Sequence, residues 1–241
     1  MMGGADSSIV LSNVSYTYAA DSPDSRGRTV FKAFSWSLDS GGVVTILGPN
    51  MCGKTTLLSL IAKDLTPQTG TITVPDRREY LPQHYEEVIF PWKSVAWNIA
   101  LPVLIRCSSC DPLVVLRERL HGLSILDELE NEARKFERAT QCPGVSFWSM
   151  LPTELSGGLQ HFIAIARCLV SRADLILLDE PLTGLDPEKL AAVCRSLREF
   201  IASTPTTRII VSTHTGTQEL GWTTQYRIPE SKPVAALQRV E

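Results

Sequence analysis

The chain lacks any apolar run long enough to cross a bilayer, for which a helix needs about 18 to 20 consecutive apolar residues. Residues 1–8 also lack the apolar stretch of a secretory signal, so we expect the protein to stay on the cytoplasmic side of the membrane. Net charge is low as well, and the formal value of −3 gives no general electrostatic reason to expect a nucleic-acid partner. These absences favour a globular protein of the cytoplasmic side.

Cysteine is sparse, and the six residues lack the dense spacing of a disulfide scaffold, which fits a reducing compartment. One pair, Cys107 and Cys110, has the spacing of metal ligands, and Cys142 or His121 could complete a set. A tetrahedral zinc site needs four convergent ligands, however, and the chain has no second pair with this spacing. We therefore favour the interpretation that most of the cysteines are small hydrophobic residues.

What the chain does have is an alternation of apolar segments that predicts an α/β fold. The predicted strands are residues 9–18, 30–38, 43–47, 70–74, 78–83, 175–178 and 208–212. The predicted helices are residues 57–65, 113–120, 125–139, 162–171 and 188–203. The first two strands mix polar and apolar residues with period two, which is typical of an antiparallel pair. From residue 162 onward, helices alternate with the strands 175–178 and 208–212, which predicts a parallel sheet with crossover helices.

The middle of the chain differs from its two ends. Residues 86–155 contain no buried strand run, but they contain helix-like segments punctuated by prolines. We expect a single domain, residues 1–241, in which residues 1–85 and 160–241 form an α/β core with an antiparallel β subdomain. Residues 86–159 are expected to form an inserted, mainly helical subdomain. The last residues are weakly patterned and predict no further domain.

A glycine-rich loop lies between the predicted strand 43–47 and the helix that follows it. Residues 48–55 match the pattern G-x-x-x-x-G-K-[ST] in full, and the flanking strand and helix are the context that the motif requires. The glycines allow backbone N–H groups to wrap phosphates, Lys54 places a cation on the outer phosphates, and the Thr55 hydroxyl can bind Mg²⁺. The residues assigned to nucleotide binding in this region are Gly48, Pro49, Asn50, Met51, Cys52, Gly53, Lys54, Thr55 and Thr56.

Two carboxylates follow the buried strand 175–178, at the sheet edge where α/β proteins bind ligands. Asp179 can support Mg²⁺ through its water shell, and Glu180 can accept a proton from the attacking water. His214 ends another strand at the same edge and could contact a γ-phosphate, and Gln83 ends a third strand and could sense Mg²⁺ or water. The alternative, that the carboxylates cap a helix, is less favourable beside the glycine loop.

A second small turn, Ser156-Gly157-Gly158, precedes the apolar helical segment 162–170. Free backbone N–H groups at a helix N-terminus favour phosphate. Taken alone, the turn favours the interpretation as an ordinary helix start.

These motifs together resemble the nucleotide-binding subunit of ATP-binding cassette (ABC) transporters, and they occur in the family's order along residues 9–220. The resemblance adds an aromatic residue before the glycine loop, Tyr18 or as second choice Tyr16, and the segment Gly184-Leu185-Asp186 after the carboxylates. It implies a P-loop NTPase (RecA-like) core with ATP and Mg²⁺ as cofactors. Tyr18 would stack on adenine, and Asp186 would contribute to the nucleotide site.

The same resemblance implies a head-to-tail dimer, most simply of two copies, in which ATP lies between the glycine loop of one copy and Ser156 to Gly158 of the other. Residues 89–95 and 98–102 are similar to importer ATPases for nitrate, sulfonate or taurine. Gln83 would link the nucleotide to transmembrane permease subunits. The implied protein is an ATP-hydrolysing subunit at the cytoplasmic face of the membrane, which energises an importer of a small anion or organic solute. A solute-binding protein would be an indirect partner, and no nucleic acid is expected.

Three residues depart from the family pattern. Leu159 stands where glutamine is usual, and His161-Phe162 stands where a Gln-Arg pair is usual. The departures bear on the hydrolysis rate and motivate one alternative, a weakly hydrolysing regulatory cassette paired with a different active one. A second alternative is a soluble ABC-type ATPase that remodels a protein or nucleic acid, although such proteins often carry two cassettes or long coiled-coil insertions, which are not found here.

Overall fold

The computed structural model describes residues 8–19, 27–39, 41–140, 145–214, 218–220, 222–230 and 232–240. The chain divides into two compact units. The first unit consists of residues 1–80, 174–180 and 206–241, and the second of residues 81–173 and 181–205.

The strands are β1 (Ile9–Tyr18), β2 (Arg28–Leu38), β3 (Gly42–Leu47), β4 (Thr69–Thr73), β5 (Arg78–Leu81), β6 (Leu175–Asp179), β7 (Arg208–Thr213), β8 (Thr224–Arg227) and β9 (Gln238–Val240). The helices are α1 (Lys54–Ala62), α2 (Val95–Leu104), α3 (Pro112–Leu120), α4 (Ser124–Thr140), α5 (Gly157–Ser171) and α6 (Pro187–Ser203). The predicted α/β class is confirmed. Within the described ranges, no helix has the length and apolarity that a membrane crossing requires.

A three-stranded antiparallel sheet is built from β1, β2 and β4, with β1 in the centre. It confirms the predicted antiparallel pairing of the first two strands. The inward residues of β1 and β2 join the hydrophobic core around α1, in which Phe31 and Phe34 pack with their rings 4.9 Å apart. This sheet therefore places the end of β1 near the helix that follows β3.

The larger sheet has six strands in the order β5-β6-β7-β3-β8-β9. Strand β3 is parallel to both β7 and β8, and β6 is parallel to β7. Every residue of β6 and β7 is buried, which explains the continuous apolar runs 175–178 and 209–211. Since β3, β6 and β7 run parallel, their carboxyl ends meet at one edge, where Leu47 is opposite Thr213 and Asp179 is opposite Ser212.

The weakly patterned end of the chain contains two strands that the sequence did not predict. Strand β8 extends the sheet beside β3, and the three-residue β9 pairs antiparallel with β8. Val234 also pairs with Phe31 in β2, and its N–H donates to Val30 O at 2.9 Å. These strands are short and half exposed, so their hydrophobic pattern is too weak to identify them. Strand β5 ends at Leu81, two residues earlier than the predicted end at Gln83.

The second unit contains helices α2 to α6. Helix α2 was not predicted; it begins after Ser94, whose hydroxyl accepts the N–H of Trp97, and it includes Pro102. Helix α5 packs against α2 and α3, and α4 packs against α6. The second unit, residues 81–173 and 181–205, contains more of the chain than the expected helical segment 86–159. The expected subdomain boundaries stay a prediction about how the chain is organised.

Cys107 and Cys110 form a disulfide in the turn between α2 and α3. The turn brings them together through a hydrogen bond from the N–H of Cys110 to the carbonyl of Cys107. This pair is therefore an exception to the interpretation that most of the cysteines are small hydrophobic residues, whereas Cys52, Cys168 and Cys194 are buried as that interpretation expects. Cys142, the possible further metal ligand, lies outside the described residues.

Candidate functional site

The glycine loop, residues 48–55, connects β3 to the start of α1. Gly53 has a φ of 115°, a left-handed conformation that favours glycine, and a Cβ at this position would lie 2.7 Å from Val30 Cγ1. The first backbone N–H groups of α1 therefore follow a residue that has no side chain. Such a helix start is an anion-binding geometry, because these N–H groups have no partner within the helix.

Lys54 is 5% exposed and turns back into the loop. Its ammonium donates to the carbonyl oxygens of Gly48 at 2.8 Å and Pro49 at 3.1 Å. It also lies 3.3 Å from Glu180 Oε1, an ion pair whose two side chains are 5% and 9% exposed. The loop thus carries a fixed cation beside the end of β6.

Asp179 is completely buried at the end of β6. Its Oδ1 accepts a hydrogen bond from the Ser212 hydroxyl, and its Oδ2 has no hydrogen-bond partner in the part of the chain that the structure describes. Burial raises the pKa of the Asp179 carboxyl, whereas hydrogen bonding by the Ser212 and Thr55 hydroxyls lowers it. A carboxylate oxygen without a partner, close to an exposed threonine hydroxyl, is the donor set that Mg²⁺ prefers. Thr55 and Asp179 therefore fit the metal predicted for this site.

Glu180 has a left-handed backbone, with a φ of 51°, and such strain in a residue other than glycine is concentrated at functional sites. The strand end holds this conformation, because the Glu180 N–H donates to the backbone oxygen of Ser212 at 3.2 Å and to its hydroxyl at 3.0 Å. The carboxylate lies between two basic groups, since its second oxygen is 3.2 Å from Nδ1 of His214. The structure thus brings together Lys54, Asp179, Glu180 and His214.

Tyr18, the first choice for the adenine-stacking residue, lies at the end of β1 beside α1. Its hydroxyl is 3.1 Å from the Thr56 hydroxyl, and the Arg28 guanidinium lies 5.9 Å from its ring centre. Tyr16 packs against it edge to face at 5.0 Å. Burial raises the pKa of Tyr16, whereas Tyr18 is 37% exposed. Its assignment to adenine stays a prediction.

Lys232 is a residue of this site that sequence reasoning missed. Its ammonium donates to the carbonyl oxygen of Met51, the exposed middle residue of the glycine loop, which has a left-handed φ of 65°. Burial lowers the pKa of Lys232, and the nearby Arg28 lowers it further. The sequence offered no pattern for this contact, because Lys232 lies in the weakly patterned end of the chain.

We expect Lys232→Ala to weaken nucleotide binding about fivefold. The lost hydrogen bond contributes roughly 1 kcal/mol to holding Met51 in a conformation that only glycine adopts without cost. In a Met51→Gly background the same change should have less than half this effect on the logarithm of the dissociation constant. Titration with a fluorescent ATP analogue measures both, with Lys32→Ala as an exposed-lysine control. Equal losses in the two backgrounds would contradict this account.

Ser156 and the glycines that follow it form the start of α5 in the second unit; we call Ser156–Gly158 the signature turn. The Ser156 hydroxyl accepts the N–H of Leu159 as an N-cap. A Cβ on Gly158 would lie 3.2 Å from the carbonyl oxygen of Gly184, so the turn packs closely against the segment before α6. The predicted turn is therefore present at the N-terminus of α5, and its role in phosphate binding stays a prediction.

The remaining predicted site residues also lie in the second unit. Asp186 caps α6 by accepting the N–H of Lys189 at 2.9 Å, and hydrogen bonds from Lys189 lower the pKa of the Asp186 carboxyl. Gln83 follows β5 and is exposed. The family departures Leu159, His161 and Phe162 are all buried inside the second unit. They therefore act on packing within that unit and are not exposed contact residues.

A parallel sheet, a strand–glycine loop–helix unit and two carboxylates at a neighbouring strand end define a P-loop nucleotide-binding domain. The sequence profile described as ABC transporter matches residues 31–183, and the chain belongs to this family. A thiamine import ATP-binding protein of Aliivibrio fischeri is 33% identical over 187 residues, which are 73% of this chain and 68% of that protein. A taurine import ATP-binding protein of Pelagibacter ubique is 34% identical over 170 residues, 67% of this chain and 57% of that protein.

The predicted likeness to importer ATPases, including those for taurine, is thus confirmed. The first curated relatives are matched over about three fifths of their own length, between 57% and 68%. Among solved structures, an ATP-binding cassette in a dimeric post-hydrolysis state bound to ADP and Pi superposes with a TM-score of 0.71. It is 20% identical, and the match covers 97% of this chain and 99% of that one. This likeness establishes the fold.

Proposed function

We propose that this chain is the ATP-binding and ATP-hydrolysing subunit of a membrane ABC transporter. The reaction would take place at the site formed by the ends of β3, β6 and β7. The observation that carries the proposal is the position of Glu180, whose carboxylate is held between Lys54 and His214 beside the buried Asp179. This arrangement supplies a cation for the phosphates, a base for water and a partner for that base.

In the proposed reaction the backbone N–H groups of the glycine loop and the Lys54 ammonium bind the β- and γ-phosphates of ATP. Mg²⁺, when bound, would be held by Thr55 and, through water, by Asp179, and it would neutralise developing charge on the phosphates. Glu180 accepts a proton from the water that attacks the γ-phosphorus, while the bond from that phosphorus to the β,γ-bridging oxygen breaks and ADP leaves with that oxygen. His214 orients the Glu180 carboxylate and contacts the γ-phosphate. Lys54 exchanges part of its contact with Glu180 for the phosphates, which frees the carboxylate to act as a base.

The active form is proposed to be a dimer of two such chains. The glycine loop of one copy would bind ATP, and the signature turn of the other would complete the site with its N-terminal N–H groups. The exposed start of α5, with no side chain at Gly157 or Gly158, supports this role because a phosphate can approach its backbone closely. ATP binding would favour the closed dimer and hydrolysis would reopen it, which provides the two states that a transport switch needs.

The membrane partner is proposed to be a permease that docks on an aromatic surface of the second unit, formed by Phe90, Pro91, Trp92, Lys93 and Trp97. Trp92 is 68% exposed, and Phe90 packs edge to face with both tryptophans at 5.5 Å. Exposed aromatic residues anchor interfaces because they bury large apolar areas. Docking there would keep the subunit at the cytoplasmic face. The taurine and thiamine import relatives favour a small organic solute as the transported substrate.

The test is to isolate the tagged chain from solubilised membranes of its own host and to identify its partners. We expect a multispanning membrane protein to be recovered in stoichiometric amount, and Trp92→Ala to reduce its recovery at least about tenfold, as loss of a central aromatic anchor does. ATP hydrolysis by the isolated chain should be unchanged. Trp222→Ala, which alters another exposed tryptophan, is the matched control. Recovery of a soluble protein or nucleic acid in place of a membrane protein would instead support the remodelling ATPase.

The regulatory-cassette alternative has a separate readout. The residues that motivated it are buried, and the four side chains assigned to the reaction lie together in one unit, so we favour an active enzyme. Absence of Mg²⁺-dependent turnover by the purified homodimer would favour the regulatory cassette.

A further inference from the structure

His161, one of the departures from the family pattern, contacts two other segments of the second unit. Its ring stacks on Tyr85, with centroids 4.7 Å apart and planes at 9°. Its Nδ1 lies 3.2 Å from the carbonyl oxygen of Thr183, in the turn before α6. A carbonyl oxygen only accepts hydrogen bonds, so Nδ1 carries the proton and donates it. His161 therefore connects α5 with a residue just after Gln83 and with the segment that leads to Asp186.

The environment of His161 favours a neutral ring with a single donor. Burial lowers the pKa of His161, against the raising effects of the Thr183 carbonyl and of Glu86. The side chain is 4% exposed, and its Nε2 has no hydrogen-bond partner within the ranges that the structure describes. A second proton would be buried without an acceptor, which is unfavourable. The bond from Nδ1 to Thr183 is thus a stable feature of the fold.

The glycines of the signature turn touch the same two segments. A Cβ on Gly157 would lie 3.0 Å from the Tyr85 hydroxyl, and a Cβ on Gly158 would lie 3.2 Å from the Gly184 carbonyl oxygen. The signature turn and the segment Thr183–Asp186, which we call the 184 turn, therefore lie against each other at backbone distance. His161 adds a hydrogen bond across this contact, four residues into α5.

We propose that His161 is a positioning residue that makes the signature turn and the 184 turn move as one body when ATP closes the dimer. The inference rests on the proposed function, in which the signature turn completes the nucleotide site of the other copy. Without the bond, each turn shifts independently, so the closed dimer is less well preorganised and needs more ATP to form. Binding of ATP to the glycine loop of a single chain does not depend on it.

The test uses a Glu180→Gln parent, which is expected to retain ATP and remain closed, and measures dimer formation by sedimentation velocity over a range of ATP concentrations. His161→Phe keeps a ring to stack on Tyr85 but removes the donor to Thr183. It should raise the ATP concentration for half-maximal dimer about tenfold, equivalent to roughly 1.4 kcal/mol. Affinity of the dilute single chain for a fluorescent ATP analogue should stay within about twofold of the parent, since the bond lies outside the glycine loop.

Two further variants separate positioning from general destabilisation. His161→Gln retains an N–H donor within reach of the 184 turn, so its ATP concentration for half-maximal dimer should lie between those of the parent and of His161→Phe. It replaces His161→Phe as the test variant if His161→Phe does not fold. Phe162→Leu trims a neighbouring core residue; it should lower the melting temperature without changing the ATP requirement.

The outcomes distinguish this inference from the function on which it rests. The positioning role is wrong, and the proposed function stands, if His161→Phe forms the dimer at the same ATP concentration as the parent. The same conclusion follows if Phe162→Leu raises the ATP concentration for half-maximal dimer as much as His161→Phe does. If the parent binds no ATP, or stays monomeric when saturated with it, the proposed function fails and the positioning role fails with it.

Discussion

Glu180→Gln is expected to reduce steady-state ATP hydrolysis at least about 100-fold, because it removes the proposed general base, and general-base catalysis contributes roughly 10²- to 10⁴-fold. The amide keeps the size and position of the side chain but cannot take a proton from water. It also removes the negative charge 3.3 Å from the Lys54 ammonium, which leaves that cation free to bind phosphate. We therefore expect ATP affinity to be preserved or increased and the closed dimer to accumulate.

The measurements for this variant are phosphate release under saturating Mg²⁺ and ATP, nucleotide affinity, and sedimentation velocity with ATP. Glu118→Gln, an identical change at an exposed position of α3, is the matched control and should behave as the unmodified chain. Turnover at the normal rate in Glu180→Gln would remove Glu180 as the base. Lost affinity together with lost turnover would instead indicate that the substitution disrupts the loop.

Lys54→Ala is expected to weaken ATP binding about 10- to 100-fold. Its ammonium is the buried cation of the glycine loop, and hydrogen bonds to charged groups contribute roughly 1.5 to 3 kcal/mol each. The loss has a second component, because Lys54 also neutralises Glu180. Without the ammonium, two carboxylates, Asp179 and Glu180, remain at the strand end and repel the triphosphate.

Equilibrium titration with a fluorescent ATP analogue measures this effect. Lys54→Met retains the aliphatic stem and separates the charge from packing, and Lys63→Ala at the exposed end of α1 is the control for loss of a lysine. An unchanged dissociation constant in Lys54→Ala would count against the assignment of residues 48–55 to phosphate binding. A loss confined to Lys54→Ala and absent in Lys54→Met would assign the effect to packing of the stem.

Much of the first unit could be predicted, because its features are contiguous in the sequence. The glycine loop is confirmed between a strand and a helix, and the carboxylates lie at the end of a buried strand, as the apolar run 175–178 indicated. Helix α2 could not be predicted in the same way. Nearly all of its residues are apolar, so the sequence shows no alternation of apolar and polar faces, and Pro102 lies within it. Strands β8 and β9 are too short for periodicity to identify.

The departures from the family pattern illustrate a second limit. Leu159, His161 and Phe162 suggested altered hydrolysis when they were compared with the family motif alone. The structure buries all three, so their consequences depend on what surrounds them in the second unit. The disulfide between Cys107 and Cys110 was also not predicted, because scattered cysteines indicate no pairing by themselves.

The sequence by itself determined the family, the α/β class and the candidate residues, because each motif carries its chemistry within a few consecutive positions and parallel strands carry their ends to one edge. Only the tertiary structure decided which groups meet. It paired Glu180 with both Lys54 and His214, left an oxygen of Asp179 without a partner in the described chain, and joined Lys232 to Met51. The physical reason is that such contacts join residues up to 181 positions apart, and no local pattern records them.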